Sequence, residues 1–143
     1  MRWIRDCAIR PSALILSRVE AFRRCDFGFI FDSYHPASNF RRQFADRDEY
    51  VRYGWASLGK DFRIIACNIL REEEDGMAAR VIFLLEFELH GARQRYAELA
   101  WVEADGEGWR YRCGQKLTAD EWPVPAAQLD FVHFEAVAEK VLY

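Results

Sequence analysis

The chain has 143 residues, 51% of them apolar and 15% aromatic, and a formal charge of −3. That is enough apolar material for one domain with its own core, and it excludes a disordered segment. The negative balance argues against a general nucleic-acid binder, and no apolar stretch approaches the ~20 residues of a membrane span.

Residues 1–10 are short, charged and without a clear period, and read as a lead-in. They do not form a signal peptide, because the apolar run Ala13-Leu14-Ile15-Leu16 is followed at once by Ser17-Arg18. Pro11-Ser12 predicts a helix start with Ser12 as the cap. Leu14, Ile15, Val19 and Phe22 then recur at helical spacing, and Arg18, Glu20, Arg23 and Arg24 are expected to face away. Asp26 is expected to cap a second, buried helix over 27–34, stopped by His35-Pro36. A short piece over 40–44 follows, then a helix over 47–57 capped by Asp46. The basic pairs Arg23-Arg24 and Arg41-Arg42 read as solvated surface.

From 62 to 117 the pattern changes to four strands, at 62–72, 80–90, 95–103 and 109–117. The connections carry Asp75-Gly76, Gly91 and residues 104–108 with two glycines, which is a hairpin signal repeated into an antiparallel meander. Alternation puts Val81, Phe83, Leu85, Phe87 and Leu89 on one apolar face, against Ile82, Leu84, Glu86, Glu88 and His90. In the third strand Tyr96, Glu98, Ala100 and Val102 oppose Ala97, Leu99 and Trp101. In the fourth, Trp109, Tyr111 and Cys113 oppose Arg110 and Arg112. One face therefore needs a cover of helices. The mixed face is open to water, a subunit interface or part of a pocket. Residues 118–125, with Pro123 and Pro125, form an irregular connector, and 127–143 is expected to be a closing amphipathic helix that packs on its own domain or reaches a partner.

Cys7, Cys25, Cys67 and Cys113 show neither C-x-x-C nor zinc spacing and read as reduced thiols of a cytoplasmic protein. No nucleophile elbow, Walker loop or dinucleotide fingerprint is present, and no cofactor is expected.

The order of helices and then a curled meander is the layout of the NTF2-like (cystatin-like) α+β cone. Leu16-Ser17-Arg18-x-x-Ala21-Phe22, then Asp26, then Tyr34-His35-Pro36 resembles the central domain of the YchJ-like family, which carries S-R-Y-x-A-F, an acidic position and W-H-P. Asp105-Gly106-Glu107-Gly108-Trp109-Arg110-Tyr111 is similar to that family's G-x-W-Y-Y strand. The likeness covers roughly 14–117 and implies an NTF2-like domain over 1–122, with a lead-in at 1–11, followed by the connector and C-terminal helix at 123–143. The family usually flanks this domain with zinc-binding SEC-C motifs. None stands in these residues, so no metal is carried over.

The resemblance implies a cavity between sheet and helices, and only the site can say what it is used for. Asp32 and His35, three apart at a helix end, are the candidate catalytic pair, one orienting and charging the other. His35 alternatively caps the helix, with Tyr34 packed in the core. Tyr34, Glu86, Glu88, His90, Glu98, Trp101 and Tyr111 are the candidate pocket residues. Glu86, Glu88 and His90, at alternate positions, would otherwise form a solvent face with cross-strand partners. Two functions stay open: a non-catalytic binding or protein-interaction module, and a small-molecule lyase or isomerase. The expected partners are a second copy through the sheet face, with Trp101, Trp109 and Trp122 exposed there, and a small-molecule ligand or protein. Neither membrane nor nucleic acid is expected.

Overall fold

In a computed structural model that describes residues 10–137, three helices precede the meander: α1 (Pro11–Arg23), α2 (Phe27–Ser33) and α3 (Arg47–Ser57). A single 3-10 turn, Arg41–Gln43, stands where 40–44 was expected. The strands are β1 (Phe62–Asp75), β2 (Ala78–Leu89), β3 (Ala92–Ala104) and β4 (Trp109–Thr118), antiparallel in the order β1-β2-β3-β4. Two 3-10 turns and α4 (Phe131–Glu135) follow. The lead-in and the last part of the expected closing helix lie outside the described residues. No helix among the described residues is long and apolar enough to cross a membrane.

Local chemistry sets the ends of these elements. Asp26 and Asp46 cap α2 and α3 by accepting the backbone N–H of Phe29 and Glu49, as expected. The start of α1 differs from expectation. Pro11 is its first residue, Arg10 is the N-cap without a side-chain bond, and Ser12 lies inside the helix. Proline suits the first helical position because it lacks an N–H that would find no partner there. The N–H of Ser12 instead donates to Glu72 Oε2 of β1 at 2.6 Å. This bond fastens the helix start to the sheet.

The strands run further than their hydrophobic patterns. Glu73, Glu74 and Asp75 were expected in a turn but pair with Arg80, Ala79 and Ala78, so the turn shrinks to Gly76-Met77, with Gly76 at φ 64°. The β2–β3 turn is His90-Gly91, with φ of 52° and 82°. Positive φ at both central residues is the backbone twist a tight two-residue hairpin needs. His90 is thus a turn residue and not part of a strand face.

Irregularities curl the sheet. Register shifts fall at Ile64/Ala66 and Ile69/Arg71 in β1, and between Tyr111 and Cys113 in β4. Each adds one residue to one strand and bends it. The β4 shift also reverses the expected alternation. Cys113 sits opposite the outward Trp101, while Gly114 and Lys116 sit opposite Ala100 and Glu98, on the same side as Tyr111.

Two cores result. The main one fills the concave side, where Leu14, Ile15, Phe27 and Ile30 meet Val81, Phe83, Leu85 and Val102. Each such buried side chain contributes about 1.5–3 kcal/mol over its exposed state. Trp109, expected on an exposed interface, is in this core at 6% exposure. The second core lies on the outer face, where Ile82, Ala97, Leu99 and Leu117 are covered by Leu129 and Phe134, with Trp122, Val124 and Phe131 alongside. Gln115 Nε2 donates to the carbonyls of Phe134 and Val137, tying the end of this segment to β4. The mixed face is therefore, over part of its area, roofed by the chain's own C-terminal segment.

Candidate functional site

Between α1, α3 and the concave face lies a cavity of about 320 Å³. Its walls are apolar: Ile15 and Val19 from α1, and Phe83, Leu85 and Phe87 from β2. The half-buried Phe22, Leu58, Phe62 and Leu89, with the more exposed Tyr53, mark its mouth.

The floor is polar, and Arg18 is its centre. Arg18 is one turn from Leu14 and one from Phe22 along α1, so it lies on the inward stripe and is only 9% exposed. Its guanidinium carbon stands 4.5 Å from the centre of the Tyr34 ring and 4.4 Å from that of Tyr111. Arg18 Nη1 donates to Ser33 Oγ at 2.5 Å and Nη2 to the Tyr34 hydroxyl at 3.3 Å. Beside it the Tyr111 hydroxyl donates to the carboxylate of Glu98, which is 4% exposed. Lys116 faces Glu98 across β3 and β4 and places its ammonium 4.9 Å from the Tyr96 ring centre.

The tertiary structure holds these groups in place. Tyr34 leaves α2 in extended backbone and stacks on Phe40 at 3.9 Å. The His35 N–H donates to the Tyr111 carbonyl at 2.8 Å, which fixes the Tyr34 and Tyr111 rings edge to face at 5.3 Å. Gly114 clears the space above the floor. A Cβ there would overlap the Tyr111 hydroxyl and stand 3.0 Å from Glu98 Oε2.

Burial opposes the charge on Arg18, yet the Tyr34 and Tyr111 phenols and Glu98 together hold its pKa above the ordinary value. Burial raises the pKa of Tyr34, an effect Arg18 only partly offsets. Tyr96 is raised well above the usual phenol range by burial and then by Glu98. At neutral pH the floor presents a fixed cation among neutral phenols. Cys67, on β1 beside the main core, is pushed up to about 11 by burial, then by Glu98.

Of the residues singled out in the sequence, Tyr34, Glu98 and Tyr111 meet in this cavity. The others lie elsewhere. Asp32 pairs with Arg47 at 3.1 Å, and its carbonyl accepts from Arg41 and Arg110. His35 Nδ1 accepts from the Ala37 N–H at 3.0 Å, so His35 and Asp32 face different partners. Glu86 pairs with Arg93 at 3.4 Å and Glu88 with Arg63 at 3.3 Å across the sheet. His90 Nδ1 is 3.3 Å from Asp61. Trp101 lies on the outer face under the Arg80 guanidinium at 5.2 Å. Among the described residues, no group of three or more His, Cys, Asp or Glu is placed to hold a metal ion.

Arg18, Ser33, Tyr96 and Lys116 were not singled out for the site. For Arg18 the signal was present: it is spaced three and four residues from Ile15 and Leu14, which places a charge on the apolar stripe. Lys116 carried no such signal, because its direction depends on the β4 bulge.

The family model of the YchJ middle, NTF2-like domain matches residues 10–114. That span contains Arg18, Ser33, Tyr34, Glu98 and Tyr111. The chain is similar to the solution structure of RPA3114, a SEC-C motif containing protein from Rhodopseudomonas palustris. The two share 25% identity over 74% of this chain and 77% of that one, with a TM-score of 0.59. The intermembrane space region of the chloroplast protein ARC6 matches at 14% identity over 71% of this chain and 96% of that one. Its TM-score of 0.38 is too low to carry an argument. No curated protein matches.

Proposed function

The chain belongs to the YchJ middle NTF2-like domain family, and from that premise we propose that it is a small-molecule binding module whose site is the cavity under α1. One observation carries this reading: an apolar cavity of about 320 Å³ that ends on a floor of buried, mutually oriented polar groups. Ligand pockets begin at about 300 Å³ and pair apolar walls with a few placed polar groups. A buried arginine bonded to neutral hydroxyls is costly to keep at the bottom of a cavity, and an anionic group on a bound ligand would offset that cost.

A second reading has one contact in its favour. The Tyr111 hydroxyl and the Glu98 carboxylate share a hydrogen bond inside the cavity, and such a pair can pass a proton to or from a bound ligand. The lyase or isomerase alternative would rest on those two residues, since Asp32 and His35 are engaged outside the cavity.

A homodimer through the sheet face has a smaller footprint than the sequence suggested. The chain's own segment covers Ile82, Ala97, Leu99 and Leu117, which leaves Trp101, Met77 and Val132 exposed around it. Cytoplasmic residence of this module is part of the same proposal.

The test is a thermal-shift screen of the protein against a small-metabolite library, repeated with Val19→Phe, which fills the cavity from the α1 wall. A ligand at a hundred times its dissociation constant stabilises the fold by about 2.7 kcal/mol. Hits that disappear in the folded Val19→Phe protein support the site. Hits that persist would place binding elsewhere.

A further inference from the structure

The cavity's charges point to the kind of molecule it takes. Among the described lining residues two are cations, Arg18 and Lys116, and one is a carboxylate, Glu98. Arg18 is the decisive group. It carries five N–H donors, and the described residues give it two oxygen partners, the hydroxyls of Ser33 and Tyr34. Both are neutral, and no described carboxylate lies within ion-pairing distance of the guanidinium. A charged side chain at 9% exposure that is bonded to neutral oxygens alone, on the wall of a cavity, lacks a counter-charge in contact with it. The two tyrosine rings hold the guanidinium plane in position. A planar, pre-oriented guanidinium matches a carboxylate through paired N–H···O bonds.

We propose that the natural ligand is a compact monocarboxylate with an apolar body, its carboxylate against Arg18 and its body between α1 and β2. The proposal rests on the cavity being the binding site and adds the chemical class. Other classes fit less well. A cationic ligand would meet Arg18 directly. A phosphate ester would bring a second negative charge and need more donors than this floor offers, and its charge would lie against walls that are apolar from Ile15 to Phe87. Glu98 does not exclude an anion, because its carboxylate accepts the Tyr111 hydroxyl and lies opposite Lys116 in the sheet. The volume limits the size. About 320 Å³ lies at the small end of the range for ligand pockets, which suits a compact acid.

The experiment uses the full chain, with calorimetry and thermal shift at neutral pH. The probes are benzoate, phenylacetate and hexanoate, each compared with its uncharged amide. The expected result is that at least one carboxylate binds and that its amide binds at least tenfold more weakly. In Arg18→Met the carboxylate should lose at least tenfold and the amide should change little, while Val19→Phe should abolish both. Equal binding of acid and amide would overturn the monocarboxylate assignment and leave the cavity standing as the site. Failure of all three acids, while the wider screen yields uncharged or cationic hits that Val19→Phe removes, would do the same. Acid binding that survives Val19→Phe would overturn the site as well. Should Arg18→Met not fold, the acid-against-amide comparison in the wild-type protein decides alone.

Discussion

Replacing Tyr111 by phenylalanine removes one hydroxyl from the floor and leaves everything else in place. The ring stays between Tyr34 and Arg18, so neither the edge-to-face contact at 5.3 Å nor the cation–π contact at 4.4 Å is lost. What goes is the donor to Glu98, a residue only 4% exposed. A hydrogen bond to a charged group is worth about 1.5–3 kcal/mol, and removing a donor to a buried carboxylate carries the desolvation cost as well. At roughly 2–4 °C per kcal/mol, the melting temperature should fall by about 3–12 °C. The assay is thermal and urea unfolding followed by circular dichroism, with an unchanged urea m value showing that the fold is intact. Tyr111→Phe, Glu98→Gln and the double variant then form a cycle, and residues in direct contact should couple by about 0.5–3 kcal/mol. A cost below about 0.5 kcal/mol, or a cycle additive to within about 0.3–0.5 kcal/mol, would refute the claim that this pair is a working part of the floor. The same variant separates the two functional readings: a binding module keeps its apolar ligand contacts, whereas a proton-transfer enzyme loses turnover.

Gly114→Ala should lower stability by about 1–3 kcal/mol, because the new Cβ meets the hydroxyl of the buried, rigid Tyr111 ring. Urea midpoints check this, and a neutral result would mean the floor can shift. Phe134→Ala should cost about 3–5 kcal/mol by opening the second core, where Phe134 is fully buried. A change in tryptophan emission should accompany it, since Trp122 packs in the same cluster, and a loss under about 1 kcal/mol would show that the C-terminal segment is not firmly docked. The protein should lose stability in alkali. Cys67 holds its proton up to about 11, and Tyr34, Tyr50 and Tyr96 are raised by burial, while the unfolded chain releases these protons at their ordinary values. The folded state therefore binds more protons above about pH 9. That stability is complete below the unfolded values and is lost as pH rises through the folded ones. Urea midpoints that stay level from pH 8 to 11 would contradict the burial of these groups, and Cys67→Ala should flatten the first part of the fall.

Much of the frame is legible in the sequence. Asp26 and Asp46 predicted the starts of their helices, because a short acidic side chain satisfies N–H groups that the helix cannot. Asp75-Gly76 and Gly91 located two hairpins, because only certain residues tolerate positive φ. The apolar face of β2 was plain from alternation, and the covering of that face by helices follows from it. Strand ends were less legible. Glu73, Glu74 and Asp75 look like a turn by composition but are held in β1 by their partners on β2.

The site was half legible for the same reason. Tyr34, Glu98 and Tyr111 were candidates by residue type and converge in the cavity, but the sequence left open which sheet face lines it, and the candidates Glu86, Glu88 and Trp101 lie elsewhere. Lys116 points into the cavity because β4 gains one residue against β3 after Tyr111. A bulge is a property of two paired strands, and a single strand's pattern carries no trace of it. The charge of Arg18 predicts exposure, whereas its spacing from Leu14 and Phe22 sets it on the inward stripe. Local spacing thus determined the helices, the hairpins, the core face of the sheet and, read without regard to charge, even the direction of Arg18. Only the tertiary structure decided that Arg18 finds two aromatic faces and a cavity there, and that the C-terminal segment roofs the opposite face. Those outcomes depend on contacts between residues far apart in the chain, which local periodicity does not encode.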